Sequence, residues 1–220
     1  LLCLLSALLL AKFAVVLWSL DKGFDITDEG WYMLSYTFPH EDRFPLHEFH
    51  TLLTSFLPVS EWTVVKARIV RLCIELPSLW IFAWGLSVWT RSRYSRFRNC
   101  RTSTLAIFLF AGLGLYLSLF SRAVSYYDLT QATLLVSTGL TLAVLARRSS
   151  MPSDVPNAMI LMCIAGACIG LQFFVKFPAA VLQFLTVAAL LRYGLKHNRY
   201  QYRVATCALL VGMVFAAILF

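Results

Sequence analysis

Seven long apolar stretches divide this sequence into segments of the length that crosses a lipid bilayer. A transmembrane α-helix needs roughly 20 mostly apolar residues, within a range of about 17 to 25. Because a hydrocarbon core offers no water to backbone N–H and C=O groups, a helix must satisfy these groups within its own segment. The sequence therefore predicts an all-α, polytopic transmembrane helical bundle. Its predicted spans are 1–20, 69–90, 104–121, 129–146, 158–174, 178–191 and 204–220.

The composition excludes most soluble classes of protein. Of the 220 residues, 60% are hydrophobic and 14% are charged, whereas a typical soluble domain is about half apolar and about a quarter charged. A soluble globule of this size would leave much of that apolar surface in water. Soluble enzymes, nucleic-acid-binding modules and secreted disulfide scaffolds are therefore excluded. We expect one transmembrane domain over 1–220, as the N-terminal part of a longer protein, because both ends of the sequence lie inside apolar runs.

The connections between the predicted spans alternate in charge. Three of them together hold eleven basic residues against one acid: 91–103, 147–157 and 192–203. The other three hold four basic residues against nine acids: 21–62, 122–128 and 175–177. Because Lys and Arg concentrate on the cytoplasmic side, this pattern predicts a cytoplasmic N-terminus. We expect a bacterial cytoplasmic membrane rather than the ER membrane. The net charge of +8 then reflects orientation and contact with anionic membrane lipids, not a nucleic-acid partner.

The first extracytoplasmic loop, 21–62, is by far the longest connection. It is too aromatic and too apolar for a disordered segment, and prolines divide it into short pieces. Within 46–57, apolar residues are mixed with two histidines and an acid, which favours an amphipathic helix lying in the membrane interface. We predict a second such piece over 28–38.

Two adjacent carboxylates lie in the first outer loop, shortly after the first span. Neighbouring residues on a helix do not face each other, so Asp28 and Glu29 need not share a proton. One reading is a solvated acidic loop or a helix N-cap that complements the helix dipole. The other is a general base at the membrane face. The residue types alone leave both readings open.

The segment Asp28-Glu29-Gly30-x-Tyr32, shortly after a first transmembrane helix, resembles the Asp-Glu motif of the GT-C glycosyltransferases. These are membrane enzymes that use polyprenyl-phosphate-linked sugars, and they include the protein O-mannosyltransferases and the lipid A aminoarabinose transferases. Downstream, 49–72 with Ala67-Arg68 looks like the stretch that leads into their second helix.

Two later segments extend the resemblance. Ser125-Tyr-Tyr-Asp128 is similar to the acidic start of a later span in this family, and 171–179 resembles its Lys-x-Pro turn, with Lys176 in the lysine position. In the loop, the Lys-Pro-Pro run of the aminoarabinose branch is replaced by His40-Glu-Asp-Arg-Phe-Pro-Leu-His47, which leaves the subgroup open.

The resemblance implies transfer of a sugar from a polyprenyl-phosphate donor to a hydroxyl of a lipid, glycan or protein acceptor at the outer membrane face. It implies a catalytic general base at Asp28, with Glu29 as its helper or as a ligand of a divalent cation. The implied contacts of the donor phosphate are Lys176, Arg122 and Arg68. The implied cavity and supporting residues are Asp128 and Tyr32. The sugar, the acceptor and any metal requirement stay open.

Simpler roles exist for several of these residues. Ionisable groups at membrane depth are costly and pair with one another. Arg71 and Glu75 are spaced i and i+4, which predicts an ion pair along one helix face. Asp128 is also a candidate cap of the fourth helix, and Lys176 and Arg122 are placed to snorkel from helix ends.

Two other classes of function remain as alternatives. A secondary transporter would have sites near the bilayer midplane and internal repeats; here the charges fall at predicted outer helix ends and no repeat is visible. A non-catalytic membrane scaffold is the other alternative, because a set of spans alone specifies no chemistry.

Overall fold

The computed structural model describes residues 2–22, 33–34, 62–94, 100–112, 125–146, 155–195 and 199–219. No strand occurs in these ranges, so the predicted all-α class is confirmed for them. The helices are α1 (Leu2–Trp18), α2 (Val64–Arg93), α3 (Cys100–Ala111), α4 (Tyr126–Ala146), α5 (Val155–Val175), α6 (Phe177–Gly194) and α7 (Arg199–Leu219).

Five of these helices, α2 and α4 to α7, are long and apolar enough to cross a membrane. They correspond to five of the seven predicted spans and are consistent with an integral, multi-pass membrane protein. Of the other two, α1 is apolar but shorter, and α3 has 12 residues. The predicted span 104–121 extends past the described part of the chain, and the interfacial helices predicted within 21–62 fall almost entirely outside it.

Helices α2 and α4 pack backbone against backbone. A methyl group added at Gly85 would overlap the carbonyl group of Gly139, and one added at Gly139 would overlap the backbone of Ile81 and Phe82. Small residues allow this approach in membrane proteins, where van der Waals packing takes over from hydrophobic burial as the force between helices. The two helices therefore run side by side, with both glycines at their contact.

The α5–α7 contact is built in the same way. Gly166 and Gly170 are one turn apart on α5 and meet the backbone of Leu209 and Met213 on α7. In return, a methyl group at Gly212 of α7 would overlap the carbonyl group of Cys163. This is a small-xxx-small face meeting a third glycine, the arrangement that lets two membrane helices pack closely.

Buried polar side chains tie α4 to its neighbours α5 and α6. Thr133 Oγ1 donates to Gln172 Oε1 of α5 at 3.0 Å. From α6, Gln183 Nε2 donates to the Thr133 carbonyl at 2.9 Å and also to Ser137 Oγ. Interhelical hydrogen bonds of this kind contribute about 0.6 kcal/mol on average in a membrane protein, so they set the rotation of each helix more than the total stability.

Side-chain contacts group the helix ends into two sets. At the Lys176 end, Arg68 at the start of α2 reaches the C-terminus of α1, Arg71 reaches the start of α4, and Lys176 lies against the start of α4. At the Arg192 end, Gly194 contacts Leu145 near the last turn of α4. Successive helices therefore run in opposite directions, as the predicted spans require.

Candidate functional site

The site is built around a one-residue break between two helices. α5 ends at Val175 and α6 begins at Phe177, and Lys176 between them has non-helical backbone angles, φ −157° and ψ 89°. Pro178, in the first turn of α6, has no N–H and so could not continue the hydrogen-bond ladder of α5. The Lys176 N–H donates to the Gln172 carbonyl at 2.8 Å, and the Lys176 carbonyl accepts from Ala180 N at 3.1 Å. The predicted Lys-x-Pro turn is thus confirmed.

The Lys176 side chain lies over the start of α4. Its Nζ is 4.6 Å from the centroid of the Tyr127 ring and 5.5 Å from that of Tyr126. A cation within about 6 Å of a ring centroid is attracted by the ring quadrupole. Lys176 forms no ion pair with any residue that the structure describes. It is therefore a cation held by aromatic rings, with no described carboxylate to neutralise it.

Asp128 caps the same end of α4. Its Oδ2 accepts from the backbone N of Ser125 at 2.8 Å and from Ser125 Oγ at 2.7 Å. This is a capping-box arrangement, in which the residue in the first turn reaches back to the residue that precedes the helix. The capping role predicted for Asp128 is confirmed, and its side chain is fully buried.

The second oxygen of Asp128 joins a buried ionic cluster. Arg71 Nε is 2.7 Å from Glu75 Oε1 and 3.2 Å from Asp128 Oδ1. The predicted Arg71–Glu75 pair is confirmed, and Asp128 is an additional partner 57 residues further along the chain. All three side chains are at most 6% exposed, and Glu75 Oε2 has no hydrogen-bond partner among the described residues. Since buried charges need partners, Arg71 is the shared counter-ion that joins α2 to α4.

Arg68 connects α2 to α1. Its Nη1 lies 3.0 Å from the carbonyl oxygen of Ser19, 2.8 Å from that of Leu20 and 3.0 Å from that of Lys22. These three residues form the turn that directly follows α1. A buried guanidinium from α2 therefore holds the chain where it leaves α1. The phosphate contact that the resemblance implies for Arg68 stays a prediction beside this structural contact.

The other predicted site residues, Asp28, Glu29, Tyr32 and Arg122, lie outside the described residues. Of the predicted set, the structure thus describes Lys176, Asp128 and Arg68, and the contacts above bring all three to the Lys176 end of the bundle. The two tyrosines that hold Lys176 were not predicted as site residues. Their signal in the sequence was the Tyr126-Tyr127 pair directly before Asp128.

No three His, Cys, Asp or Glu side chains come together as a metal site within the described ranges; the four histidines all fall outside them. The structure also has clefts away from the Lys176 turn. One of about 190 Å³ is wholly apolar and lies between α1, α2 and α3, lined by Leu9, Phe13, Leu79 and Phe108 among others. A second of about 340 Å³ lies between α6 and α7 at the Arg192 end.

Comparison with known proteins finds no match among protein-family models, curated proteins or solved structures.

Proposed function

We propose that this protein is a membrane glycosyltransferase that moves a sugar from a polyprenyl-phosphate donor to an acceptor hydroxyl at the outer membrane face. The observation that supports this most is the Lys176 ammonium group. It is fixed at a helix break, held on two tyrosine rings and free of any described carboxylate. A lipid-linked phosphate at the membrane interface is an anion of the kind that such a cation binds.

The chemistry follows from the groups that the resemblance assigns. The Asp28 carboxylate takes the proton of the acceptor hydroxyl as that oxygen attacks the anomeric carbon of the sugar. The bond between this carbon and the phosphate oxygen breaks, and the polyprenyl phosphate leaves with the bonding electrons. Its negative charge grows during this step, so a fixed cation stabilises the transition state more than the ground state. Lys176 supplies that cation, with Arg122 and Arg68 as further contacts.

The tyrosine rings explain how Lys176 would be positioned. A lysine side chain has four rotatable bonds and samples many conformers at an exposed helix end. Two ring faces restrict it without neutralising its charge, since a ring contributes a quadrupole and no counter-ion. Asp128, which is next to Tyr127 in the chain, directs its two oxygens to Ser125 and Arg71 and forms no ion pair with Lys176 among the described contacts.

The buried contacts at the same end support preorganisation. Arg68 holds the end of α1 against α2, and Arg71 holds the start of α4 against α2. The loop that carries Asp28 begins at the turn after α1 that Arg68 holds. In this proposal the two arginines fix the distance between the start of the loop that carries Asp28 and the start of α4, against which Lys176 lies. Fixed positions of the charged groups favour electrostatic catalysis.

The test uses the full-length protein in lipid nanodiscs with a radiolabelled polyprenyl-phosphate sugar, and measures transfer and donor binding separately. Lys176→Ala should weaken donor binding and lower turnover together. Its matched control is Lys66→Ala, which removes an exposed lysine from the first turn of α2 at the same end. Comparable losses in both variants would refute the assigned role of Lys176.

Replacement of the base should leave a different kinetic signature. Asp28→Asn keeps the shape of the side chain but cannot accept the proton, so transfer should fall by about 10²- to 10⁴-fold while donor binding stays near normal. Asp21→Asn removes an exposed carboxylate at the end of α1 and serves as the control. Loss of ground-state binding and loss of transition-state stabilisation are separable in this way. Normal sugar transfer by a folded Asp28→Asn variant would refute the proposed role of Asp28 as the general base.

A secondary transporter remains a second candidate because of the Arg71–Glu75–Asp128 cluster. Ionisable groups buried in membrane-spanning helices commonly mark ion or substrate pathways. A transporter would move a solute across the membrane of sealed proteoliposomes, and the Glu75→Gln variant would lose this transport. The enzyme would form product in detergent, where no gradient exists.

A further inference from the structure

The cleft between α6 and α7 is lined by two arginines, a tyrosine and a leucine. It has a volume of about 340 Å³, and its described lining residues are Arg192, Leu195, Arg199 and Tyr202. Small-molecule pockets commonly have volumes of about 300 to 1,000 Å³, so the cleft is large enough for a polar headgroup. Two guanidinium groups and a phenol face one space, with a leucine as its apolar wall.

Both arginines have their charge available. Arg192 and Arg199 are exposed and form no ion pair or hydrogen bond with a residue that the structure describes. They come from different helices, in the last turn of α6 and at the first residue of α7. A guanidinium presents N–H donors in a planar fork that matches the oxygens of a phosphate. Two such forks around one cleft predict a phosphate ligand.

Aromatic residues place the cleft at the level of the lipid headgroups. Tyr193 is 76% exposed and Tyr200 is 65% exposed, and each is next in the chain to one of the two arginines. Tyrosines concentrate at membrane–water interfaces, where the ring contacts apolar groups and the hydroxyl contacts water. The cleft therefore opens where phosphates of membrane lipids are found.

Apolar surface continues from the cleft into the bilayer. Along α6, residues on the Arg192 side of the helix are exposed for almost three turns: Ala189, Leu185 and Leu182. Along α7, Leu210 is 45% exposed and Val214 is 57% exposed. A ligand with a phosphate in the cleft can thus lay hydrocarbon chains along helices that present apolar side chains to their surroundings.

We infer that the α6–α7 cleft at the Arg192 end binds one anionic phospholipid, with its phosphate between Arg192 and Arg199 and its acyl chains along the apolar faces of α6 and α7. Basic pockets between transmembrane helices bind acidic lipid headgroups in this way. This site is at the opposite end of the bundle from Lys176 and is independent of glycosyl transfer. A lipid, unlike free phosphate, satisfies both the arginines and the exposed apolar faces.

The test is native mass spectrometry of the full-length protein, titrated in detergent with phosphatidylglycerol or phosphatidylcholine. The double variant Arg192→Gln/Arg199→Gln is compared with Arg93→Gln/Arg203→Gln. The control removes two exposed arginines that do not line the cleft: one at the end of α2, and one a single turn after Arg199 on α7. Both double variants carry the same net charge. Each single variant, Arg192→Gln and Arg199→Gln, is measured as well.

The wild-type protein should retain one phosphatidylglycerol in preference to phosphatidylcholine. Because the charged hydrogen bonds to the phosphate are lost, the cleft variant should bind this lipid at least about tenfold more weakly. The control should bind as the wild type does, and each single variant should lie between the two.

Three results would overturn the inference. Equal retention of both lipids would show that the headgroup charge is not recognised. An equal loss in the control variant would show a diffuse electrostatic effect in place of a site. Displacement of the lipid by inorganic phosphate at an equal concentration would identify a site for free phosphate and not for a lipid.

Discussion

Replacement of Arg71 is the sharpest test of how the bundle is held together. Its Nε is the contact shared by two buried carboxyl groups, 2.7 Å from Glu75 Oε1 and 3.2 Å from Asp128 Oδ1. Arg71→Met keeps the length and the apolar stem of the side chain but removes the charge. It leaves two buried carboxyl groups facing each other, and Glu75 Oε2 already has no hydrogen-bond partner among the described residues.

The expected loss follows from the burial of this cluster. Removal of one partner from a buried ion pair costs about 3 to 5 kcal/mol, because an uncompensated charge stays in the interior. Replacement of the whole set by neutral groups is often close to neutral in stability. We therefore expect the triple variant Arg71→Met/Glu75→Gln/Asp128→Asn to recover most of the loss, to within about 1 to 2 kcal/mol of the wild type. Glu75→Gln alone should cost less than Arg71→Met, since the Arg71–Asp128 contact persists.

The assay is the free energy of unfolding in mixed micelles, measured by titration with SDS. Neutral hydrogen bonds between membrane helices show coupling energies of about 0.6 kcal/mol on average and about 1.7 kcal/mol at most. A coupling energy above about 2 kcal/mol between the substitution at Arg71 and those at Glu75 and Asp128 would therefore distinguish a charge cluster from an ordinary polar contact. Arg93→Met, at the exposed end of α2, is the matched control and should change stability by about 0.5 kcal/mol or less.

Two outcomes would refute this reasoning. The triple variant could be as unstable as Arg71→Met, in which case packing and not charge causes the loss. The losses of the single variants could also add up, which would mean that Arg71 does not couple the two carboxyl groups.

Three further changes probe the packing of α5 against α7, the topology and the turn that follows α1. Gly166→Val should force α5 away from α7 and cost about 1 to 3 kcal/mol or more in unfolding free energy, whereas Ala217→Val on the exposed side of α7 should cost little; equal effects would contradict the close α5–α7 contact. In a cysteine-free background and intact cells, a membrane-impermeant thiol reagent should label Asp21→Cys but not Ser92→Cys, because Lys and Arg concentrate on the cytoplasmic side; the reverse labelling would invert the predicted orientation. Arg68→Met should speed hydrogen exchange at the Lys22 amide, in the turn after α1 that Arg68 holds, and unchanged exchange there would show that this contact does not hold the turn.

Local rules account for the features that were predictable from the sequence. A run of about 20 apolar residues forms a membrane-spanning helix whatever surrounds it, because its backbone N–H and C=O groups form their hydrogen bonds within the segment. The Arg71–Glu75 pair needs only the i, i+4 spacing of one helix, and the cap at Asp128 needs only the first turn of α4. The helix break at Lys176 is likewise determined by Pro178 two residues later.

The site was predictable only in part. Lys176 and Asp128 stood out as charges in an apolar chain, which is a strong signal because such charges are costly in a membrane. Their partners were not predictable. Tyr126 and Tyr127 are ordinary interfacial aromatics until a helix break from another part of the chain brings an ammonium group over their rings. The carboxylates Asp28 and Glu29 remain predictions from the sequence.

The sequence by itself thus determined that the described chain is helical, and it located the five helices that are long and apolar enough to cross a membrane. Only the tertiary structure decided which helices are neighbours: Arg71 meets Asp128 across α2 and α4, Arg68 meets the end of α1, and Gly166 meets α7. The physical reason lies in the membrane setting. Helices that are apolar on every side have no amphipathic pattern from which the inward face could be predicted. The inward face is therefore selected by small residues and a few buried polar groups, and their partners lie tens of residues away in the chain.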